Sequence, residues 1–237
     1  MSDRTIILHY HLFKNAGTSF DGILKRNFPG KWVAQEFTGG ENSAAVKDWI
    51  KANPDAVAFS SHTATGPVPN IPGVRVISAL FLRDPVARIR SAYAFERRQA
   101  VTRADDRMGV ALAAKSTFAG YVRGRLDVPG DRQCRNFHCV RLAGFVQRIA
   151  PELQRATEAL NVLSFVGEVE RFGASLQRFA TLVSPVWPGF DPGLVHLNRS
   201  GPDEDIQVDP LLDRLLAENN ALDYEILRRA RATVWAA

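Results

Sequence analysis

The chain has 237 residues, of which 46% are hydrophobic and 23% charged, with a formal net charge of +5 at pH 7. That apolar content and modest charge exclude a disordered chain, and 13 Pro with 17 Gly exclude a collagen-like or low-complexity one. The length suffices for one domain, read over 1–237, and no run of about 18 apolar residues predicts a membrane span.

The N-terminus, Met1 to Thr5, leads into a short apolar segment with no secretory core or cleavage site, so a cytoplasmic setting is expected. Residues 5–13 are rich in β-branched and aromatic types and predict a buried strand. The break Lys14-Asn15-Ala16-Gly17 follows, and Thr18 or Ser19 can cap a helix to about Phe28, where Pro29-Gly30 stops it. Residues 32–37 predict a short strand. Val46, Trp49 and Ile50 at helical spacing predict a helix over 42–52. Ala56 to Ser60 predicts a strand, 61–73 a loop carrying His62, and Val74 to Leu82 the second strong strand. Asp84 as N-cap and Pro85 at the first helical position open a helix to about Gln99.

The remainder reads as mostly helical, over 107–124, 131–149 and 151–160. A strand at 163–167 and a helix at 170–183 follow. A Pro/Gly-rich loop spans 185–203, and a last helical region, 208–234, has a break near Asn219-Asn220. Cys134 and Cys139 fall in one predicted helix as inert reduced thiols, and no His/Cys cluster predicts zinc. Strands alternating with helices in the first half predict an α/β fold: a central parallel sheet flanked by helices, with a helix-rich second half.

Such sheets bind ligands at the carboxyl ends of their strands. Three chemically loaded segments fall there: Lys14 to Ser19, Ser61-His62, and Arg83 to Ser91. In the first, a strand turns through small residues into a helix N-terminus, which suits an anion. Gly17 permits close backbone approach, Thr18 and Ser19 add hydroxyls, and Lys14 adds a full charge. An ordinary capped strand–helix turn fits the same residues. Walker A spacing is absent, because Lys14 precedes Gly17. In the third segment Arg83 and Ser91 can hold a phosphate by charge-assisted hydrogen bonds, while Arg88 and Arg90 read as solvated. His9 and His11 alternate on one strand face and read as satisfied core residues. Trp32, Trp49, Phe59 and Phe81 read as core. His196, beside Asn198-Arg199-Ser200, is a weaker candidate for a loop closing over a ligand.

Together the first and third segments resemble the two nucleotide motifs of the PAPS-dependent sulfotransferases, most of all the branch with carbohydrate 2-O-sulfotransferases and their bacterial relatives. The first motif there runs His-Ile-Pro-Lys-Thr-Gly-Gly-Thr-Ser. This chain keeps His11, Lys14, Gly17, Thr18 and Ser19 and departs at Phe13, Asn15 and Ala16. The second runs Leu-Arg-Asp-Pro-x-x-Arg-x-x-Ser-x-Tyr, matched by Leu82, Arg83, Asp84, Pro85, Arg88, Ser91 and Tyr93. Thinner likenesses lie at Asn136 to Gly144, where Val140 stands at an Arg position beside Arg141, at Val166 to Leu176, and at Asn219 to Leu227.

The resemblance implies a P-loop-like sulfotransferase fold and in-line transfer of the sulfuryl group of PAPS to an acceptor hydroxyl, on a small molecule or a carbohydrate. Lys14, Asn15, Ala16, Gly17, Thr18 and Ser19 would hold the 5′ phosphosulfate, with Lys14 stabilising the leaving oxygen. Arg83 and Ser91 would hold the 3′ phosphate of PAPS and of its product PAP. No metal is required on this reading. His62 is the candidate base, with Ser61-His62 standing where the branch often has Gly-His. The alternatives are a PAP-binding homologue without transferase activity and a P-loop-like nucleotide kinase. A nucleic-acid partner is not expected from a charge of +5 without a recognised motif.

Overall fold

Five strands form one all-parallel sheet, in the spatial order Trp32–Ala34, Ala58–Ser61, Arg4–Tyr10, Val74–Leu82 and Phe165–Glu168. The computed structural model describes residues 4–102, 108–193 and 209–235. The chain runs β1 (Arg4–Tyr10), α1 (Gly17–Asn27), β2 (Trp32–Ala34), α2 (Ser43–Ala52), β3 (Ala58–Ser61) and β4 (Val74–Leu82). The helical half follows: α3 (Pro85–Thr102), α4 (Met108–Lys115), α5 (Phe118–Asp127), α6 (Phe137–Ala143) and α7 (Glu152–Val162). Then come β5 (Phe165–Glu168), α8 (Phe172–Val183), α9 (Pro210–Asn219) and α10 (Ala221–Thr233). This is the expected α/β architecture. Among the described residues no helix is long and apolar enough to cross a membrane.

Parallel strands are covered on both faces, so their sequences are near-continuous apolar runs. Ile6, Ile7 and Leu8 of β1 are all fully buried. Alternation then assigns each residue a face. Ile6, Leu8 and Tyr10 pack with Val46, Trp49, Leu142, Leu160 and Ile226, on the side covered by α2, α6, α7 and α10. Ile7 packs with Phe20, Ile23, Phe81 and Phe179, on the side covered by α1 and α8. A satellite cluster of Ile89, Tyr93, Phe118, Tyr121 and Leu216 holds α3, α5 and α9 together.

The connections create the site. From β1 the chain crosses to the β2 edge, returns to β3, then passes over β1 to β4 on its far side. Ile7 of β1 is therefore flanked by Ala58 of β3 and Ile77 of β4. The winding direction reverses between β1 and β4, and a crevice opens at the carboxyl end of a sheet at such a point. The loops bearing Lys14 and Arg83 leave from these two strands.

Several expected elements are shorter. The first strand stops at Tyr10, because the Leu12 N–H turns back to the Tyr10 carbonyl at 2.9 Å. The helix expected over 107–124 is two helices, since Thr117 caps α5 by accepting from the Gly120 N–H. The helix expected over 131–149 shrinks to α6. Asp131 accepts from the Gln133 N–H in a tight turn, and Asn136 is left-handed at φ 44°, which ends any helix from upstream. Cys134 thus precedes the helix that holds Cys139, and both are buried free thiols.

Candidate functional site

The loop after β1 has an unusual backbone. Lys14 and Ala16 are left-handed, with φ of 62° and 59°, although neither is glycine. Each such residue costs roughly 1–2 kcal/mol unless its surroundings hold it. Ala16, rather than Thr18 or Ser19, is the N-cap of α1, and no side chain caps it. Thr18 and Ser19 therefore lie in the first turn. The Ser19 N–H donates to the Ala16 carbonyl at 3.1 Å, while the N–H groups of Gly17 and Thr18 stand ahead of the first helical bond, where the loop can present backbone donors at the positive end of the helix dipole. Alternating backbone handedness of this kind makes an anion-binding concavity.

Lys14 adds a cation whose Nζ lies 4.4 Å from the centre of the Phe95 ring. Burial, reinforced by Arg98 and Arg83, lowers its pKa to about 8. Arg83, at the mouth of β4, donates from Nη1 to the Lys14 carbonyl at 3.1 Å. Two segments 69 residues apart are thereby joined. Ser91 is buried on α3, 3% exposed. Asp84 caps that helix as expected, accepting from the Ala87 N–H at 2.8 Å.

Arg88 is not solvated, contrary to the reading of its sequence neighbourhood. It is fully buried. Its guanidinium donates to the Gln133 backbone and side-chain oxygens and lies 4.2 Å from the centre of the Phe137 ring. A planar cation stacks and forks in this way where a lysine could not.

Beneath the loop, Asp21 of α1 gathers three donors. His9 Nδ1 lies 2.8 Å from one carboxylate oxygen, His11 Nδ1 lies 2.9 Å from the other, and Ser60 Oγ donates at 2.6 Å. Burial alone would raise the Asp21 carboxyl, but the two imidazoles hold it far below the usual range. Both histidines are satisfied core residues, as their alternation suggested. The sequence points to no metal set, yet the ligand atoms of His9, His11 and Asp21 lie within 4.8 Å of one another and could hold a divalent ion. The two rings are nearly parallel and 5.2 Å apart, and each faces its own carboxylate oxygen.

The His11 ring also explains Gly17. A Cβ at Gly17 would stand 2.1 Å from His11 Cδ2. Asp21 pins that ring, so it cannot give way. Gly17→Ala is expected to lose about 1–3 kcal/mol of stability, as overpacking does. Urea denaturation measures this, and an unchanged midpoint would mean that His11 is free to move.

His62 follows β3, and its ring centre lies 3.7 Å from that of His11. It is exposed, while its backbone is held firmly. Glu36 accepts from the N–H groups of His62 and Thr63 and from the Thr63 hydroxyl. Arg141 donates to the carbonyls of His62 and Ala64. Partial burial, then the neighbouring His11, lowers the His62 pKa below its ordinary value, with Glu36 and Asp21 opposing. The imidazole is thus neutral near pH 7, as a proton acceptor must be. A cleft of about 820 Å³ opens beside it, lined by His62, Phe37, Glu41, Thr65, Arg141 and Gln147 among others.

The structure therefore joins Lys14 to Arg83 and His62 to His11 at the carboxyl ends of β1, β3 and β4. Asp21 and Glu36 went unrecognised in the sequence. Two histidines on one strand face require an acceptor, and Asp21 is the first carboxylate downstream, which is the signal that could have found it. His196 and Asn198 to Ser200 lie outside the described residues.

No family model matches the chain. A protein of Archaeoglobus fulgidus, described as an uncharacterized protein, is 35% identical over an alignment of 237 positions that spans 96% of this chain and 90% of that protein's length.

Proposed function

We propose that this chain, which belongs to one family with the archaeal protein, is a sulfotransferase that moves the sulfuryl group of PAPS to an acceptor hydroxyl. The observation that carries the reading is the link from Arg83 Nη1 to the Lys14 carbonyl at the point where the sheet reverses its winding. It brings the two motif segments together, which supports reading them as one anion site. The uncapped first turn of α1 and the left-handed loop suit the 5′ phosphosulfate, and Arg83 with Ser91 suits the 3′ phosphate.

In the reaction, Lys14 and the first-turn N–H groups stabilise the charge that builds on the departing phosphate oxygen. His62 accepts the proton of the acceptor hydroxyl, whose oxygen forms the new bond to sulfur as the bond to the phosphate oxygen breaks. The cleft beside His62 receives the acceptor, and its size suits a sugar or another small molecule. A cytoplasmic setting fits a reaction that draws on a soluble nucleotide. A sulfate-transfer screen with PAPS across acceptor classes, read by PAP release, tests the proposal. Binding of PAP with no transfer to any class would leave only the nucleotide site standing.

The Lys14 ammonium gives a pH test. It is protonated below about 8 and loses its charge above that value. PAP affinity should therefore fall as pH rises, by about tenfold one unit above the pKa, where roughly a tenth of the molecules still carry the charge. Lys14→Arg stays protonated and should flatten this dependence. Calorimetry across the range checks it, and an identical slope in both proteins would assign the titration to another group.

A further inference from the structure

The left-handed loop needs something to hold it, and the bond from Arg83 to the Lys14 carbonyl supports one side. On the other side of that carbonyl lies Asn15, the residue between the two left-handed positions, and it is 1% exposed. Its Nδ2 lies 3.0 Å from Nε2 of His138, on α6. His138 is fully buried, and its Nδ1 lies 3.2 Å from Oδ2 of Asp223, on α10. Asp223 is also fully buried. Its carboxylate accepts from the N–H groups of His138 at 3.1 Å and Cys139 at 2.8 Å. Burial alone would raise the Asp223 carboxyl, but His138 and these two N–H groups keep it below the usual carboxylate range.

The direction of the relay follows from this chemistry. Nε2 meets both ends of the Asn15 amide, Nδ2 at 3.0 Å and Oδ1 at 3.3 Å; the nearer contact, together with the Asp223 carboxylate beside Nδ1, assigns the ring proton to Nδ1 and leaves Nε2 as the acceptor. The Asn15 amide then donates to it. Asn15 can do so only when its side chain points inward, and it does so from between the two left-handed residues. Two asparagines fasten α6 to α10 nearby: Asn136 Oδ1 accepts from the Leu222 N–H, and Asn220 Oδ1 accepts from the Asn136 N–H. The relay therefore ends on an anchored helix pair.

We propose that His138 and Asp223 are positioning residues of the anion loop: they fix Asn15 and so hold Lys14, Ala16 and the first-turn N–H groups of α1 in the binding arrangement. The proposal rests on the reading of this loop as the 5′ phosphosulfate site. It also accounts for a departure from the sulfotransferase motif, because asparagine at position 15 supplies the donor that a buried imidazole acceptor requires.

The test has two arms, each applied to the full chain. Without any ligand, hydrogen exchange reads the order of the loop through the N–H groups of Asn15, Ser19 and Phe20, which donate to the carbonyls of Leu12 and Ala16, and calorimetry reads PAP affinity. His138→Leu removes the acceptor. His138→Gln offers a side-chain carbonyl to Asn15 in its place. Asn15→Ala cuts the relay at the loop and leaves the buried His138–Asp223 pair intact, should the His138→Leu variant fail to fold. The loop amides should exchange about tenfold faster in His138→Leu and Asn15→Ala, with PAP affinity down about tenfold, and both should recover to within about threefold in His138→Gln. Unchanged loop exchange in folded His138→Leu and Asn15→Ala would overturn the proposal, as would a loss that His138→Gln shares in full. If the wild type does not bind PAP, the sulfotransferase reading fails, while the exchange arm still decides whether the relay holds the loop.

Discussion

Arg83→Ala should weaken PAP binding by about 100-fold or more while the protein stays folded. Arg83 leaves the end of β4 half-buried, outside the packed clusters on either face of the sheet. Its loss should therefore leave the thermal midpoint close to that of wild type. Two contributions disappear together. The first is the charged fork to the 3′ phosphate, where hydrogen bonds to charged groups contribute about 1.5–3 kcal/mol. The second is the bond to the Lys14 carbonyl, which helps to hold a left-handed residue in place. A loss of about 3 kcal/mol corresponds to roughly two decades in affinity. Arg83→Lys keeps the charge but not the fork and should fall between the two. Calorimetry with PAP decides the matter. Unchanged affinity in Arg83→Ala would remove the nucleotide assignment, and with it the reason for reading Lys14 and His62 as reaction residues.

Features set by local chemistry were legible before the structure. Apolar runs at residues 5–10 and 74–82 announced parallel strands buried on both faces, because no half-exposed strand tolerates them. Asp84-Pro85 announced a helix start, and the break at Asn219-Asn220 separates α9 from α10 as expected. What escaped depends on partners far along the chain. Arg88 looks like a surface cation until Gln133, 45 residues on, accepts from it. His138 looks like any helical histidine until Asn15, 123 residues earlier, meets it. The left-handed Lys14 and Ala16 could not be foreseen from propensity, which assigns such conformations to glycine or asparagine. The turn was visible in the sequence, and the strain that shapes it into a donor cradle is a tertiary property. Likewise, Ser61-His62 could be placed at the sheet edge, but not the Glu36 and Arg141 contacts that hold its backbone.

His62→Ala should cut the transfer rate by about 1,000-fold and leave PAP affinity within about twofold of wild type. General-base removal costs about 100- to 10,000-fold, and the estimate lies inside that span. The ring touches His11, but the contacts that hold the loop backbone are made without it. Glu36 holds the N–H groups of residues 62 and 63, and Arg141 holds the carbonyls of residues 62 and 64. The exposed imidazole faces the cleft, so its removal leaves no buried cavity. The pH profile gives a second readout. Burial and the His11 ring lower the His62 pKa, so the wild type should keep its base form to a lower pH than an ordinary histidine would and lose activity as protonation sets in below that. That acid limb should vanish in the variant's residual rate. Full activity in His62→Ala would place the base elsewhere. The next imidazole to test is then His11, which is oriented by Asp21 in the manner of a carboxylate–histidine pair and whose ring centre lies 3.7 Å from that of His62 in the wild type. His11→Ala in the same background would separate the two. A further loss of transfer with PAP still bound would assign the proton to His11. A loss of PAP binding would instead show that His11 serves the anion loop through its contact with Gly17.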